Sequence, residues 1–354
     1  MKINSILFFI FFSSIVLAQV TTHSEISEVK FKVVQYKGNI DNSPITMLLT
    51  FYPDSGILGY YYYDKFGKLF NIESNKENKN LKLEAQQIDI YLYQNDKVTF
   101  DFDQAPYLEN ITLTGKWIYK NKTLPVTLTQ EKLKLDWRLF RYNSTGYFKN
   151  SYFSEQTKDY SIIYPSISTS PKLNAYFLSQ INMFDGYMID YINSTQSNYL
   201  LIEQNLGDNT TFLEDCCWSD DENIELVYTS DSVLTYCKYG FTYGYNGHYH
   251  INNISLNPAS CKEYTAKNIF REEFLDSVLT MLMNKYKNIF GNKYDSAPAL
   301  ADYMEYIDIY ISKGGIYFSN RPYLRSDDYY DLFLSFDDIS GYLNNSFKKS
   351  MGLK

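Results

Sequence analysis

Apolar and polar residues alternate along several short runs between residues 28 and 129. In the run from Ile45 to Phe51, every odd-numbered position is apolar. The same alternation occurs over residues 98–103, 111–117 and 124–129. A period of two places one set of side chains in a core and the other in water, which is the pattern of a half-buried strand. The sequence therefore predicts an all-β unit in this part of the chain.

Turn-forming residues separate these runs. Pro53 and Gly56 suit a tight turn after the first run, because proline presets φ and glycine accepts a positive φ. Asp64–Gly67 would likewise join 60–63 to 69–72. Short strands joined by such turns predict an antiparallel meander that closes into a barrel or sandwich. We assign residues 19–130 to this barrel-like domain.

Beyond Glu131–Trp137 the alternation stops and helical periodicity appears. Ser170 and Pro171 are suited to open a helix. The clearest helix is predicted over Glu272–Phe290, where apolar residues recur on one face and acids open the segment. Strand-like runs at 224–228 and 233–245 suggest a long hairpin.

A second hairpin is predicted near the C-terminus. Lys313-Gly314-Gly315 lies between strand-like runs, and Ser335 is placed to cap a short helix with Asp338 three residues on. Strands and helices in separate blocks indicate an α+β domain, with two or three helices on an antiparallel sheet. We assign it residues 131–347 and expect residues 348–354 to form a frayed tail.

The first residues have the pattern of a secretory signal peptide. Lys2 precedes an apolar run, Ile6–Leu17, which ends in Val16-Leu17-Ala18. We expect cleavage after residue 18 and a mature chain that begins at Gln19. No cysteine stands at this site, which argues against a lipoprotein anchor, and no second run of spanning length follows. We therefore expect a periplasmic or secreted protein without a transmembrane anchor after cleavage.

Composition narrows the choice of partner. The chain has 354 residues, with 36 Tyr against 3 His and 3 Trp. Tyrosine favours strands, and a tyrosine-rich surface could bind sugars or peptides, although an A+T-rich coding bias is the simpler explanation of its abundance. The formal net charge of −8 argues against nucleic acid, whose phosphates require basic patches, and is compatible with a cationic partner.

The four cysteines lie within one stretch of the chain. In an oxidising compartment an even number predicts two disulfides. A bond between the adjacent Cys216 and Cys217 would be strained, so we predict that each bonds to one of Cys237 and Cys261. The alternative, a zinc site, lacks the usual Cys-x-x-Cys spacing. We expect neither a metal nor a cofactor.

Short motifs in the second domain resemble a known family. Ile163-Tyr164-Pro165-Ser166-Ile167 precedes a helix, Gly244-Tyr245-Asn246-Gly247-His248 falls late in a strand, and Gly314–Phe318 leads to Arg321-Pro322-Tyr323. Over Trp137–Leu343 this order resembles the extracytoplasmic domain shared by RsiV-like, lysozyme-sensing anti-sigma factors and the non-catalytic region of peptidoglycan deacetylase C.

The resemblance implies an α+β fold without enzymatic activity. One branch of that family binds lysozyme, and for most members the ligand is unknown. This sequence departs from the sensing branch because no transmembrane helix or sigma-binding segment is recognised in it. Direct anti-sigma signalling by this polypeptide alone is therefore not expected.

The most specific candidate for chemistry is Gly247-His248-Tyr249-His250. Residues two apart on a strand share a face, so the two imidazoles could contact one ligand, share a metal or act in proton transfer; a structural role is the simpler interpretation. We expect any ligand to contact His248, Tyr249, His250, Tyr245 and Tyr323.

Acidic clusters support a competing interpretation. Asp220-Asp221-Glu222 and the group Asp327, Asp328 and Asp331 most simply form solvated turns. Paired carboxylates also act in glycosidases, so a hydrolase of wall glycans using them with His248 is an alternative. Phosphate-loop, Gly-x-Ser-x-Gly and His-Glu-x-x-His motifs are absent from the sequence.

Together these observations predict an exported, non-enzymatic binding or sensing module. Its partner would be a cell-wall component or a cationic protein such as lysozyme. The alternatives are the hydrolase and a structural envelope protein, which would show an exposed apolar or tyrosine patch.

Overall fold

The computed structural model shows a β-rich protein of the α+β class. The structure describes residues 21–52, 56–74, 82–87, 97–104, 111–148, 156–180, 218–243, 248–290, 307–320 and 331–353. The predicted signal peptide lies outside these residues, so it stays a prediction.

The first eight strands form an antiparallel, barrel-like sheet in which each strand pairs with the next. They are β1 (Thr21–Ile40), β2 (Ser43–Tyr52), β3 (Gly56–Tyr63), β4 (Leu69–Ser74), β5 (Lys82–Gln87), β6 (Val98–Phe102), β7 (Thr112–Tyr119) and β8 (Lys122–Glu131). The sheet closes because Gln35–Ile40 of β1 also pairs with β8. Closure removes the free edges that an open sheet would expose.

Alternation explains the interior of this barrel. Ile45, Met47 and Leu49 of β2 are buried in one hydrophobic cluster, which continues through the other strands of the barrel. Ile111 is an exception to the predicted pattern, since it precedes β7 and is 70% exposed. The predicted meander that closes into a barrel is confirmed.

Strand β1 connects the barrel to the rest of the protein. Its second half, Lys32–Ile40, pairs with β2, whereas Thr21–Glu28 pairs with a ninth strand, and the register shifts between the two halves. The sheet then continues through β9 (Trp137–Phe148), β10 (Gln156–Ile167), β11 (Trp218–Thr229), β12 (Leu234–Tyr243) and β13 (His248–Leu256). We call β9–β13 the extension. Only its β10–β11 pair is parallel among the described pairings.

A small antiparallel sheet and several helices pack on the extension. The sheet contains β14 (Ile307–Ile311), β15 (Gly315–Asn320) and β16 (Asp331–Ser335). The helices are α1 (171–180), α2 (Ala266–Ile269), α3 (Leu275–Phe290), α4 (Phe336–Ile339) and α5 (Asn345–Met351), with 3-10 turns at Glu272–Phe274 and Ser340–Tyr342. The α+β class predicted for this part is confirmed.

The two faces of the extension belong to different cores. Ile224 and Leu226 pack in a cluster with Leu173 and Phe177 of α1. Cys237, on the opposite face of the same hairpin, packs with α3 and the small sheet. Residues 224–228 are therefore buried on both faces of the sheet, as expected where a sheet lies between two cores.

The small sheet also packs against the outside of the barrel. The hydroxyl of Tyr317 on β15 accepts a buried hydrogen bond, 2.6 Å long, from the amide of Leu69 on β4. Gly67 and Gly314 meet so closely that a Cβ on Gly67 would lie 1.9 Å from the Gly314 nitrogen. Lys313 forms an ion pair with Asp64 at 3.0 Å.

Several local predictions are confirmed by individual contacts. The side-chain oxygen of Ser335 accepts from the Asp338 amide at 3.1 Å and caps α4. Residues 312–314 join β14 to β15, and residues 230–233 join β11 to β12. The predicted helix over Glu272–Phe290 begins with a 3-10 turn and continues as α3.

Three local expectations need correction. Strands β9 and β10 continue the sheet beyond the point where we expected the strand pattern to stop. Residues 348–351, expected in a frayed tail, complete α5, and Leu353 packs on the core beside it. Asp220–Glu222, expected in a solvated turn, lies within β11 because the whole segment pairs with β10 and β12.

Candidate functional site

Strand register brings the predicted histidines and one predicted acidic cluster into two neighbouring rows. Thr242 of β12 pairs with Asp220 on one side and with His248 on the other. Gly240 likewise pairs with Glu222 and with His250. Directly opposed residues share a face of a sheet, and so do residues two apart on one strand. Both rows therefore lie on the same face of the extension.

We call this surface the histidine face. It comprises Asp220 and Glu222 of β11, Lys238, Gly240 and Thr242 of β12, and His248, His250 and Asn252 of β13. Two strand spacings, about 10 Å, separate the backbone positions of Asp220 and His248. Gly240, the middle position of the row between Glu222 and His250, has no side chain and is buried.

One ion pair in the face is clearly defined. The Nζ of Lys238 lies 2.9 Å from a carboxylate oxygen of Glu222, and their side chains are 15% and 7% exposed. Such a partly buried pair fixes both side chains, because separating them would leave a charge without its partner in a poorly hydrated site. Glu222 is therefore a fixed, charge-compensated carboxylate, in contrast to the solvated residue expected from the sequence.

The predicted ligand residues are placed only in part. His248, Tyr249 and His250 begin β13, and Tyr249 pairs with Phe241 in the row between the two histidines, so it lies on the opposite face. Tyr245 and Tyr323 lie outside the described residues. Contact of these five residues with a ligand stays a prediction.

Sequence reasoning missed the β12 contribution to this face. Lys238, Gly240 and Thr242 stand in an unremarkable strand sequence, and only their register with the two neighbouring strands brings them beside the acids and histidines. The available signal was the predicted hairpin around residues 229–232, from which the β11–β12 register can be counted.

The two described cysteines lie outside the histidine face. Cys237 lies opposite Glu225 and is buried, and Cys261 follows β13; both thiols are free among the described residues. Burial raises the pKa of the Cys237 thiol well above its usual range, so the thiol is protonated and unreactive at neutral pH. Cys216 and Cys217 lie outside the described residues, and the predicted disulfides stay predictions.

The described residues show two further features relevant to function. None of the described helices has the length and apolar character needed to cross a bilayer. Within the described ranges, no three His, Cys, Asp or Glu residues are grouped to hold a metal ion.

The architecture defines a β-rich α+β protein with a barrel-like sheet and a helix-covered extension. No family model matches the chain, and no curated protein matches it. Two similar solved structures are DUF3298 family proteins, that is, proteins with a domain of unknown function. The one from Bacteroides fragilis is 16% identical, with 62% of this chain and 97% of that chain covered and a TM-score of 0.43.

The second is from Pseudomonas aeruginosa. It is 12% identical, and the match covers 61% of this chain and 97% of the Pseudomonas chain with a TM-score of 0.40. Similarity at this level carries no argument about ligand or activity. The more specific resemblance to RsiV-like domains stays a prediction.

Proposed function

We propose that this protein is an exported, non-enzymatic binding or sensing module, and that the histidine face contacts its ligand. The supporting observation is the register that places acids, a lysine, histidines and an asparagine in adjacent rows of one sheet face. These residue types offer hydrogen-bond donors and acceptors to glycan hydroxyls, and carboxylates to cationic groups.

The partner we propose is a cell-wall component or a cationic, lysozyme-like protein. The formal net charge of −8 favours encounter with a cationic partner. Within the face, Lys238 compensates Glu222, so the acid at position 220 and the two histidines would determine the charge that a ligand meets. Binding of a cationic partner would weaken as salt rises, whereas binding of a neutral glycan would not.

The test is retention of the purified mature protein on immobilised lysozyme and on insoluble peptidoglycan, each at low and high salt. We expect retention on one of them, and its loss in the double variant His248→Ala/His250→Ala. The matched control is His23→Ala, since His23 lies on β1 and pairs with Thr145 of β9, away from the face. Retention on neither support would refute the proposed partners, and equal retention by the double variant would refute the site.

A hydrolase is the second candidate, because the register does place Asp220 and His248 in one row. The observation that discriminates the two is release of reducing ends or soluble fragments from peptidoglycan. We expect no release by the native protein above that of Asp220→Asn. Release that Asp220→Asn abolishes would instead establish the enzyme.

A further inference from the structure

Glu225 is buried where the barrel meets the extension. It lies on β11 and is 6% exposed. The hydroxyl of Tyr60 on β3 hydrogen bonds to its carboxyl group. The other carboxyl oxygen, Oε1, has no hydrogen-bond partner among the described residues. A buried carboxyl group with only partial hydrogen bonding is costly to ionise.

The groups packed around Glu225 are themselves acids, phenols and a thiol. Burial, and next the charge of Glu225, raise the pKa of both Tyr52 of β2 and Tyr239 of β12; their hydroxyls lie 3.4 Å apart. Cys237 lies directly opposite Glu225 in the β11–β12 pairing.

The small sheet adds further acids on the same side. Asp308 of β14 and Asp331 of β16 lie close enough to Cys237 to raise the pKa of its thiol. Lys285 of α3 contacts the same sheet, where its Nζ donates to the carbonyl oxygen of Phe333 at 2.5 Å. The groups that act on Glu225 directly, Tyr60, Tyr52, Tyr239 and Cys237, carry no positive charge.

We propose that protonated Glu225 is a latch that holds the outer wall of the barrel against β11 and β12, and that its ionisation loosens this junction. Glu225 lies three residues from Glu222 on the same strand, so loosening would reach the histidine face. The latch does not depend on which ligand that face binds.

The direction of the pH effect follows from burial. Desolvation raises the pKa of Glu225 from 4.5 to about 8. Below pH 4.5 the Glu225 carboxyl group is protonated in both the closed and the open junction, so the latch is fully effective. Between 4.5 and about 8 only the open junction ionises, so opening becomes more favourable by up to about tenfold per pH unit. Above about pH 8 the carboxyl group is ionised in both forms of the junction, so opening no longer depends on pH.

Amide hydrogen exchange between pH 5 and 8 tests this latch. We expect protection factors of β11 and β12 amides, corrected for the intrinsic pH dependence of exchange, to fall by up to about tenfold per pH unit in the native protein. In Glu225→Gln they should be independent of pH, because glutamine keeps the shape and can accept from Tyr60 but cannot ionise. The matched control, Glu131→Gln, removes an exposed carboxylate that pairs with Lys37 and should behave as the native protein does.

The native pH series decides the question even if Glu225→Gln fails to fold. Protection factors that stay constant from pH 5 to 8 would refute the latch. An equal fall in Glu225→Gln would assign the effect to another group. An equal fall at β6 and β7 amides would show general loosening instead of opening at the junction.

Discussion

Replacing Tyr317 by Phe tests whether the small sheet is fixed to the barrel by one buried hydrogen bond. The Tyr317 hydroxyl accepts from the Leu69 amide at 2.6 Å, and both residues are 0% exposed. The variant removes the acceptor and leaves the ring in place, so that the stacking of Tyr317 on Tyr310, with centroids 4.7 Å apart, is kept.

The expected cost is that of a buried amide left without a partner. Such a group costs about 1–3 kcal/mol, because water cannot replace the lost acceptor in a closed core. The free energy of unfolding should fall by this amount. Exchange of the Leu69 amide proton, if it proceeds by local opening, should accelerate about 5- to 140-fold, since about 1.4 kcal/mol corresponds to a factor of ten.

Urea unfolding gives the first quantity and amide exchange gives the second. The matched control is Tyr342→Phe, because the half-buried Tyr342 ring packs edge to face on Phe274 and lies away from the barrel. We expect the control to change stability by less than about 0.5 kcal/mol. If both variants lose the same stability and the Leu69 amide exchanges at the native rate, this hydrogen bond does not organise the junction.

Three further predictions concern the same interior. Thr235→Val should cost about 1–3 kcal/mol in urea unfolding, because the Thr235 hydroxyl donates to the Ile311 carbonyl at 2.6 Å in a buried site; an unchanged midpoint would contradict this. Gly67→Ala should lower the free energy of unfolding far more than Gly352→Ala. Both glycines have a positive φ, but of the two only Gly67 would place a Cβ against a neighbour, 1.9 Å from the Gly314 nitrogen. Equal losses in the two variants would mean that backbone strain alone matters. Without reductant, the buried Cys237 thiol, which is free among the described residues, should resist alkylation in the folded protein and react after unfolding. Reaction only after reduction would instead support the disulfide predicted from the sequence.

The sequence alone predicted the elements that depend on local geometry. The period of two in β2, the Asp64–Gly67 turn and the Ser335 cap involve residues within a few positions of one another. Backbone sterics and short-range hydrogen bonds determine such features, so they can be inferred before the fold is known.

The tyrosines of β3 show where that inference ends. Tyr61 packs inside the barrel on Phe70 and Phe100, whereas Tyr62 packs outside it, in the core shared with the small sheet. Four successive tyrosines carry no polar alternation, so the sequence indicates a strand but not which side faces which core. Only the covering of the outer wall by β14–β16 decides it.

The candidate site depends on tertiary structure in the same way. The sequence identified His248, His250 and the acids at 220–222, but as separate features. The pairing of β12 with both neighbours places them in shared rows, and the packing of β11 against β2 and β3 of the barrel buries Glu225. Periodicity is a property of a single strand, whereas register and burial depend on residues far apart in the chain. For that reason the sequence determined the strands and the types of residue, and only the tertiary structure decided which of them meet.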